Sequence, residues 1–220
     1  MGHIPHLYLP PPWEATVLPL TDVHSHHLRR VLRVSDWAPV SYTDGQGVVG
    51  QGTLGPDGIH RGQEANVPRP APRLTVVVAP PHASDRARFT VEKLGELGTD
   101  RLLWLNSDFG QARAPRADKT ARWAIGALEQ SRGAWLMVTG DDVTPAELPR
   151  PAWFVHPGGG VLPDPSGDVT LVIGPEGGFS PEELTRADTT VGLGARVLRV
   201  ETAALVAAGL VLCHLGRMNT

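Results

Sequence analysis

Leu171-Val172-Ile173-Gly174-Pro175-Glu176-Gly177-Gly178-Phe179-Ser180-Pro181-Glu182-Glu183-Leu184 is the stretch that decides the fold. It begins, from Val169, as a short apolar and partly β-branched run, which is typical of a buried parallel strand. The run breaks into Gly-Pro-Glu-Gly-Gly, where glycines allow positive φ and let a ligand approach bare backbone. Ser180 then has the features of a helix N-cap, followed by Pro181 and by Glu183 as its capping-box partner. The order predicts a ligand-binding loop at the carboxyl end of a strand, although the glycines could instead only make a tight turn.

A second stretch, Gly192-Leu193-Gly194-Ala195-Arg196-Val197-Leu198-Arg199-Val200-Glu201-Thr202-Ala203-Ala204, follows a predicted strand and leads into an apolar helix. The two stretches, in this order, resemble the IGPEGGxS and LGxRxLRxETA signatures of the RsmE family. That family consists of SPOUT-class methyltransferases that act on small-subunit ribosomal RNA.

The composition is that of an ordinary globular chain. Its 220 residues are 41% hydrophobic and 20% charged, with a net charge of −3. The N-terminal residues 1–6 lack a basic region before an apolar core, and no apolar run could span a bilayer, so we expect a cytoplasmic protein with no membrane partner. The single cysteine, Cys213, excludes an internal disulfide and is expected in the core. The acidic balance argues mildly against non-specific nucleic-acid binding, yet 18 of the 20 basic residues are arginine, which suits phosphate contacts.

Residues 1–70 have the short apolar runs and turn formers of an all-β domain, and Asp44-Gly45 predicts a hairpin. One helix is expected at 24–34, with Asp22 as a possible cap. Within it, His27-Leu28-Arg29-Arg30-Val31-Leu32-Arg33 is similar to the HxxRVLR helix of the RsmE N-terminal domain. The resemblance implies a small PUA-like barrel that binds RNA, while the alternative for each arginine is a solvated helix face.

Two segments, 45–50 and 50–55, match the dinucleotide-binding pattern G-x-G-x-x-G. Neither lies between a strand and a helix, so the structural context that the motif requires is missing. We interpret both as glycine-rich hairpins and reject a Rossmann site.

The proline-rich segment 68–72 predicts a boundary between two domains, residues 1–70 and 73–220. After it, strand-like and helix-like patterns alternate, which predicts an α/β domain with a mostly parallel sheet. Thr144-Pro145-Ala146-Glu147 has the capping-box pattern and predicts a short helix. The other expected elements are strands at 74–79, 101–106, 135–138 and 152–155, and helices at 84–97, 119–131 and 200–215.

Three further segments resemble the RsmE family. Arg86–Gly98 is similar to its KxxxxxxKxxELG helix, although Arg86 stands where lysine is usual. Glu129-Gln130-Ser131-Arg132 is similar to its EQS-R element, and His156-Pro157 to the HP that ends a strand beneath the cofactor. The chain departs from the family at Asn106-Ser107-Asp108-Phe109, which replaces a typical S-E-R and lacks its arginine.

The resemblance implies an α/β protein in which a PUA-like β-barrel precedes a SPOUT domain with a C-terminal trefoil knot. It also implies S-adenosylmethionine as cofactor, held by three backbone loops, where glycines leave main-chain groups free to contact it. The implied cofactor-binding residues are His156, Pro157, Ile173, Gly174, Pro175, Glu176, Gly177, Gly178, Leu193, Gly194, Val197, Leu198, Arg199, Glu201 and Thr202.

The family's product is N3-methyluridine in 16S ribosomal RNA. Uridine N3 must lose a proton, so a positive group near its carbonyl oxygens would stabilise the developing charge. We expect Arg199 to fill this catalytic role, although it could equally pair with Glu201 or Glu176. The expected RNA contacts are Arg29, Arg30, Arg33, Arg86, Arg88 and Lys93.

The small ribosomal subunit is the implied partner, and a homodimer through the knot region is implied as well, with the final helix as candidate interface. No metal site is expected, because His24, His26 and His27 have no matching ligand pair. Two alternatives stay open: a SPOUT enzyme that methylates a ribose 2′-hydroxyl or another base, and a non-catalytic RNA-binding assembly factor.

Overall fold

A computed structural model of the chain describes residues 4–218, which form two compact units. The first unit contains the residues up to Arg69 together with Leu128–Leu136. The second contains Pro70–Ala127 and the residues from Met137 onward. In the described range, no helix has the length and apolar character needed to cross a membrane.

The first unit is built on a five-stranded sheet in the order β1-β3-β4-β5-β2. β1 and β3 are parallel, and the other neighbours are antiparallel. Asp44 makes the predicted hairpin between β3 and β4, since its Oδ1 accepts the amides of Gln46 and Val48 at 2.7 and 3.0 Å. The strands are β1 (His6–Tyr8), β2 (Val17–Leu18), β3 (Pro39–Thr43), β4 (Val48–Leu54) and β5 (Ile59–Asn66).

The helix of the first unit differs from the prediction. An α-helix, α1 (Asp22–His26), continues directly into a π-helical segment, His27–Val31. Its N-cap is Thr21 rather than Asp22, because the extended Thr21 places its hydroxyl 3.2 Å from the amide of His24. Leu28 is its fully buried side chain.

On the sheet of the first unit, Tyr42 forms a hydrogen-bonded cluster with two charged side chains. The Tyr42 hydroxyl donates to Glu64 at 2.9 Å, and burial raises the pKa of Tyr42 to about 12. Arg61 donates two 2.7 Å hydrogen bonds to the Glu64 carboxylate, which lower its pKa. A Cβ at Gly50 would lie 2.2 Å from the Tyr42 ring, so close packing explains a glycine of the G-x-G-x-x-G pattern.

The segment Leu128–Leu136 belongs to the first unit, whereas the sequence placed it in the second domain. Its backbone docks on the β3–β4 hairpin: Gly47 donates to the Ala134 carbonyl at 3.0 Å, and Leu136 donates to the Gly45 carbonyl at 2.9 Å. Trp135 forms a bridge to the hairpin, so the strand expected at 135–138 begins only at Val138.

The second unit is built on a six-stranded, wholly parallel sheet in the order β11-β9-β10-β6-β7-β8. All five residues of its central strand β10 are buried. The strands are β6 (Leu74–Val78), β7 (Arg101–Leu105), β8 (Val138–Val143), β9 (Ala152–Gly160), β10 (Val169–Ile173) and β11 (Thr189–Val191). The helices are α2 (Ser84–Glu96), α3 (Ala117–Ser131), α4 (Pro181–Leu184) and α5 (Val200–His214).

Two sequence expectations in this unit were wrong. Thr144-Pro145-Ala146-Glu147 forms a turn in which Glu147 accepts the Thr144 amide at 2.9 Å, but no helix follows. Pro149 and Pro151 come directly afterwards and cannot continue a helix. Cys213 is exposed on α5 instead of packed in the core.

The core of the second unit has Phe154 at its centre, fully buried and 4.7 Å from the ring of Phe179. We expect Phe154→Ala to lower the free energy of unfolding by about 3–5 kcal/mol, because truncation leaves a cavity. Phe89→Ala is the matched control, since Phe89 is 44% exposed on α2 and should cost less than about 1 kcal/mol. Urea unfolding measures both, and a loss below about 2 kcal/mol for Phe154→Ala would contradict the packing described here.

Candidate functional site

A cavity of about 270 Å³ opens in the second unit at the carboxyl end of β10, beside the middle of β9. Open parallel sheets place ligands at this edge. Its lining comes from three segments of the chain: the middle of β9, the end of β10 with the loop after it, and the segment that leads from β11 into α5. The lining residues are Val155, His156, Pro157, Ile173, Gly174, Pro175, Glu176, Gly178, Phe179, Leu193, Gly194, Arg196, Val197, Leu198, Arg199, Val200 and Ala203.

The glycine loop after β10 has the geometry that the sequence predicted. The Gly178 amide closes a turn onto the Pro175 carbonyl at 2.9 Å, and Gly178 has φ of +77°. A Cβ at Gly174 would lie 2.9 Å from the Phe179 ring, so this position is packed. A Cβ at Gly178 or Gly194 would meet no atom within 4 Å, so both backbones border open space in which a ligand can approach them.

The capping box that ends this loop is present in full. Ser180 Oγ accepts the Glu183 amide at 3.2 Å, and Glu183 Oε2 accepts the Ser180 amide at 2.8 Å. The other oxygen of Glu183, Oε1, accepts the amide of Asp108 at 3.0 Å. Ser180 Oγ also donates to Asp108 Oδ2 at 2.5 Å. One buried carboxylate therefore fastens the glycine loop to the loop that follows β7.

The third segment reaches the cavity because two glycine backbones touch. A Cβ at Gly192 would lie 2.6 Å from the Gly159 carbonyl oxygen, and a Cβ at Gly159 would lie 2.5 Å from the backbone of Val191. The β9–β11 ladder shifts here: Thr190 pairs with Phe154, but the next residue pairs with Gly160. The intervening part of β9 leaves the ladder, and this part contains the cavity-lining His156 and Pro157.

Two arginines border the cavity, Arg196 and Arg199, and both are exposed. The Arg199 backbone caps α5 in an extended conformation, with its carbonyl accepting the Ala203 amide at 2.8 Å. In the described chain, Arg199 forms no ion pair with Glu176 or Glu201. Glu201 instead lies 3.8 Å from the Arg86 guanidinium, and its buried Oε2 has no hydrogen-bond partner among residues 4–218.

Most residues expected at the cofactor site line this one cavity. Gly177, Glu201 and Thr202 do not line it; Gly177 instead packs beside Phe109, which is 48% exposed. The sequence reasoning missed Val155, Phe179, Arg196, Val200 and Ala203. Phe179 and Arg196 lie inside the two quoted motifs, so their adjacency to the glycines was a usable signal.

The basic residues expected to contact RNA differ in whether a carboxylate already pairs with them. Arg29 donates to Asp36 at 2.5 Å and to the Gly55 carbonyl at 2.6 Å, whereas Arg30 and Arg33 are exposed. On α2, three basic side chains pair with carboxylates on their own helix or on α5. These pairs are Arg86 with Glu201, Arg88 with Glu92, and Lys93 with Glu96.

Across residues 4–218, no three His, Cys, Asp or Glu side chains lie close enough together to hold a metal ion. His24 lies 3.8 Å from Glu129, and His6 bonds to Ser41 at 2.9 Å.

Comparison with known proteins identifies the family to which this chain belongs. The sequence profile of the RNA methyltransferase domain matches residues 68–150 and 158–212, more than half of the chain. The chain therefore belongs to the RNA methyltransferase domain family.

Individual relatives make the resemblance more specific. Ribosomal RNA small subunit methyltransferase E from Rickettsia conorii is 23% identical over 208 residues, which cover 85% of each chain. The crystal structure of a probable rRNA-methyltransferase from Porphyromonas gingivalis superposes with a TM-score of 0.85 at 27% identity, covering 97% of this chain and 99% of that one. Ribosomal RNA small subunit methyltransferase E from Neisseria gonorrhoeae, bound to S-adenosyl methionine, gives 0.82 at 26% identity, covering 96% and 98%. These matches confirm the resemblance to the RsmE family and the mixed α/β fold.

We expect Glu183→Gln to lower the free energy of unfolding by about 1–3 kcal/mol, because the amide cannot accept hydrogen bonds at both ends and leaves a buried N–H unpaired. Glu182→Gln is the control, since Glu182 is the exposed neighbour on the same helix. Urea unfolding gives the energies, and hydrogen exchange at the Ser180 and Asp108 amides should speed up in the first variant only. Equal behaviour of the two variants would contradict the bridging role of Glu183.

Proposed function

We propose that this protein transfers a methyl group from S-adenosylmethionine to N3 of a uridine in 16S ribosomal RNA. The observation that carries the proposal is the cavity at the carboxyl end of β10, where bare glycine backbone and two arginines meet. Family membership supports RNA methylation, and the similarity to an RsmE crystallised with S-adenosyl methionine supports the cofactor and the small-subunit substrate.

The residues around the cavity fit this cofactor. Gly178 and Gly194 leave space that a Cβ would fill, so their main-chain groups can bond to a heterocycle edge or a ribose. Leu193, Val197 and Leu198 supply apolar walls. The bound cofactor supplies an activated methyl group on a sulfonium centre. We assign its contacts to the lining parts of the three segments, with Gly177, Glu201 and Thr202 supporting them from outside the cavity.

Arg199 is the proposed catalytic residue. As N3 loses its proton to solvent water, negative charge spreads to O2 and O4, and a guanidinium at the cavity mouth stabilises that charge. The absence of an ion pair to Glu176 or Glu201 within the described chain supports this role, because the charge is not already neutralised. Alignment of N3 with the methyl group contributes the rest of the rate enhancement.

The proposal includes the finer architecture of the family. We assign residues 1–70 to a PUA-like RNA-binding barrel and 73–220 to a SPOUT domain whose C-terminal part forms the trefoil knot. The curved five-stranded sheet of the first unit and the six parallel strands of the second support this assignment. Arg30 and Arg33 are the proposed phosphate contacts of the first unit, with Arg86, Arg88 and Lys93 as weaker candidates because carboxylates already pair with them.

We also propose a homodimer through α5. Val206 and Leu210 are 40% and 43% exposed, and Cys213 follows at helical spacing on the same side. Leu210→Arg should convert a dimer to a monomer by placing a charge in an apolar contact, as light scattering would measure. Wild-type protein that is monomeric at micromolar concentration would contradict the dimer.

Arg199→Ala should lower kcat by about 100-fold while the Kd for S-adenosylmethionine changes less than about threefold, because charge at the oxygens develops only in the transition state. Arg199→Lys should retain part of the rate. Arg122→Ala, an exposed arginine of α3 outside the cavity, is the control. Single-turnover methylation and calorimetry separate the two effects; a large loss of cofactor affinity would make Arg199 a binding residue instead.

The reaction itself is tested on small ribosomal subunits from cells that lack this protein. We expect N3-methyluridine to appear when the purified protein and S-adenosylmethionine are added and the digested RNA is examined by mass spectrometry. A ribose-methylated nucleoside, or another methylated base, would keep the enzyme class and overturn the specificity. No methylation together with no cofactor binding would favour an assembly factor.

A further inference from the structure

Trp37 has two features that folding alone does not explain. Its indole is 59% exposed, and its φ is +67°, a left-handed conformation that bulky residues rarely adopt. An exposed ring gains little from burial, so the strain is not offset by packing into the core. Strained residues of this kind concentrate at sites that bind something.

The conformation of Trp37 is fixed by hydrogen bonds on both sides. Its amide donates to the Leu54 carbonyl at 2.6 Å, and the Leu54 amide donates to the Ala38 carbonyl at 3.0 Å. The end of β4 therefore holds the turn that carries the indole. The Arg29 side chain bonds to Asp36 and to Gly55, which ties the π-helical segment to the same edge.

The indole packs beside one aromatic ring and leaves 59% of its surface exposed. The His60 ring lies 5.0 Å from the Trp37 ring, tilted by 55°. His60 is itself held by Asp57 at 2.8 Å, and this hydrogen bond lowers the pKa of Asp57. An indole that is held by a neighbouring ring and is still more than half exposed offers a surface on which a planar ligand can stack.

The surrounding charge favours a polyanion. Arg30 and Arg33 precede Trp37 by seven and four residues in the chain; both are exposed, and neither forms an ion pair within the described residues. The two nearby acids are occupied, because Asp36 pairs with Arg29 and Asp57 with His60. The positive charges therefore remain available for phosphates.

We propose that Trp37, packed beside His60 and preceded in the chain by the exposed Arg30 and Arg33, is a stacking platform for an unpaired base of single-stranded RNA. The Trp37 platform rests on the proposed function in that RNA is the substrate, and it adds a second contact within the first unit. Base stacking on an aromatic side chain tolerates any base, so the platform contributes affinity while sequence choice lies elsewhere.

The test compares Trp37→Gly with wild type, using a fluorescein-labelled ten-nucleotide oligouridylate and a blunt RNA duplex of equal length. Glycine removes the ring and also suits a positive φ, so the melting temperature should not fall. The Kd for oligouridylate should rise about tenfold, whereas binding of the duplex, whose bases are already stacked, should change less than about twofold. Arg33→Gln is the matched control, which should weaken both probes to the same extent.

A second variant makes the result independent of any folding defect. Trp37→Phe keeps an aromatic face but removes the emission of this one indole. Oligouridylate should quench tryptophan fluorescence of the wild type, and most of this quenching should disappear in Trp37→Phe, with an affinity within about threefold of wild type. Equal quenching in both proteins, or equal oligouridylate affinity of a normally melting Trp37→Gly, would overturn the platform.

The outcome is separable from that of the proposed function. If wild-type protein forms no methylated nucleoside but its oligouridylate affinity depends on Trp37, the proposed reaction fails and the platform stands. If methylation proceeds and Trp37→Gly matches wild type in both assays, the platform fails and the reaction stands. A loss of affinity for assembled subunits alone, with oligouridylate binding unchanged, would overturn the platform in favour of a contact with a ribosomal protein.

Discussion

The contact between the backbones of Gly159 and Gly192 is the constraint on which the candidate site depends. Any side chain at either position would collide with main chain, at 2.5–2.6 Å. Because the two backbones can touch, the edge strand β11 joins β9 again at Gly160 after the ladder shifts, and the cavity-lining His156 and Pro157 leave the ladder in between. The segment after β11 then borders the cavity together with the middle of β9 and the loop after β10. Without this approach, the apolar wall and the two arginines would have no fixed relation to the glycine loop.

The Glu183 carboxylate fixes the position of the glycine loop, as the contact between Gly159 and Gly192 fixes the position of the third segment. A loop of glycines gains ligand access at the cost of conformational freedom, since glycine loses more backbone entropy on ordering than other residues. Glu183 offsets this cost by accepting amides from two loops, while Asp108 accepts the Ser180 hydroxyl. Asp108 lies in the segment that departs from the family pattern, so this chain retains a carboxylate link there while Phe109 stands in the place of the arginine. The exposed Phe109 packs beside Gly177, which does not line the cavity.

The fold was predictable wherever local chemistry decides it. The strand, glycine loop and Ser180 cap were read correctly because apolar run, turn formers and capping box are all encoded within a few residues. Most of the cavity lining was predictable from the two motifs. One failed prediction depended on residues far away in the sequence, and another on a local signal. The docking of residues 128–136 on the β3–β4 hairpin needs backbone bonds over more than 80 positions, and no periodicity reports them. The helix predicted after Thr144 was lost to two following prolines, a signal that was present but outweighed by the capping pattern.

The arginines show why a motif alone does not identify a contact residue. Arg29 lies in the helix motif with Arg30 and Arg33, yet its guanidinium already donates hydrogen bonds to Asp36 and to the Gly55 carbonyl. Arg86, Arg88 and Lys93 are similarly balanced by carboxylates, so a ligand phosphate would have to compete for them. Among the basic residues predicted to act in catalysis or RNA binding, Arg30, Arg33 and Arg199 form no ion pair within residues 4–218. The same reasoning applies to aromatic residues, since Tyr42 and Trp13 stabilise the first unit by packing together, whereas Trp37 accepts a strained backbone and stays exposed. Residues whose interactions are complete stabilise the fold, and those whose interactions are incomplete are where a ligand has free energy to gain.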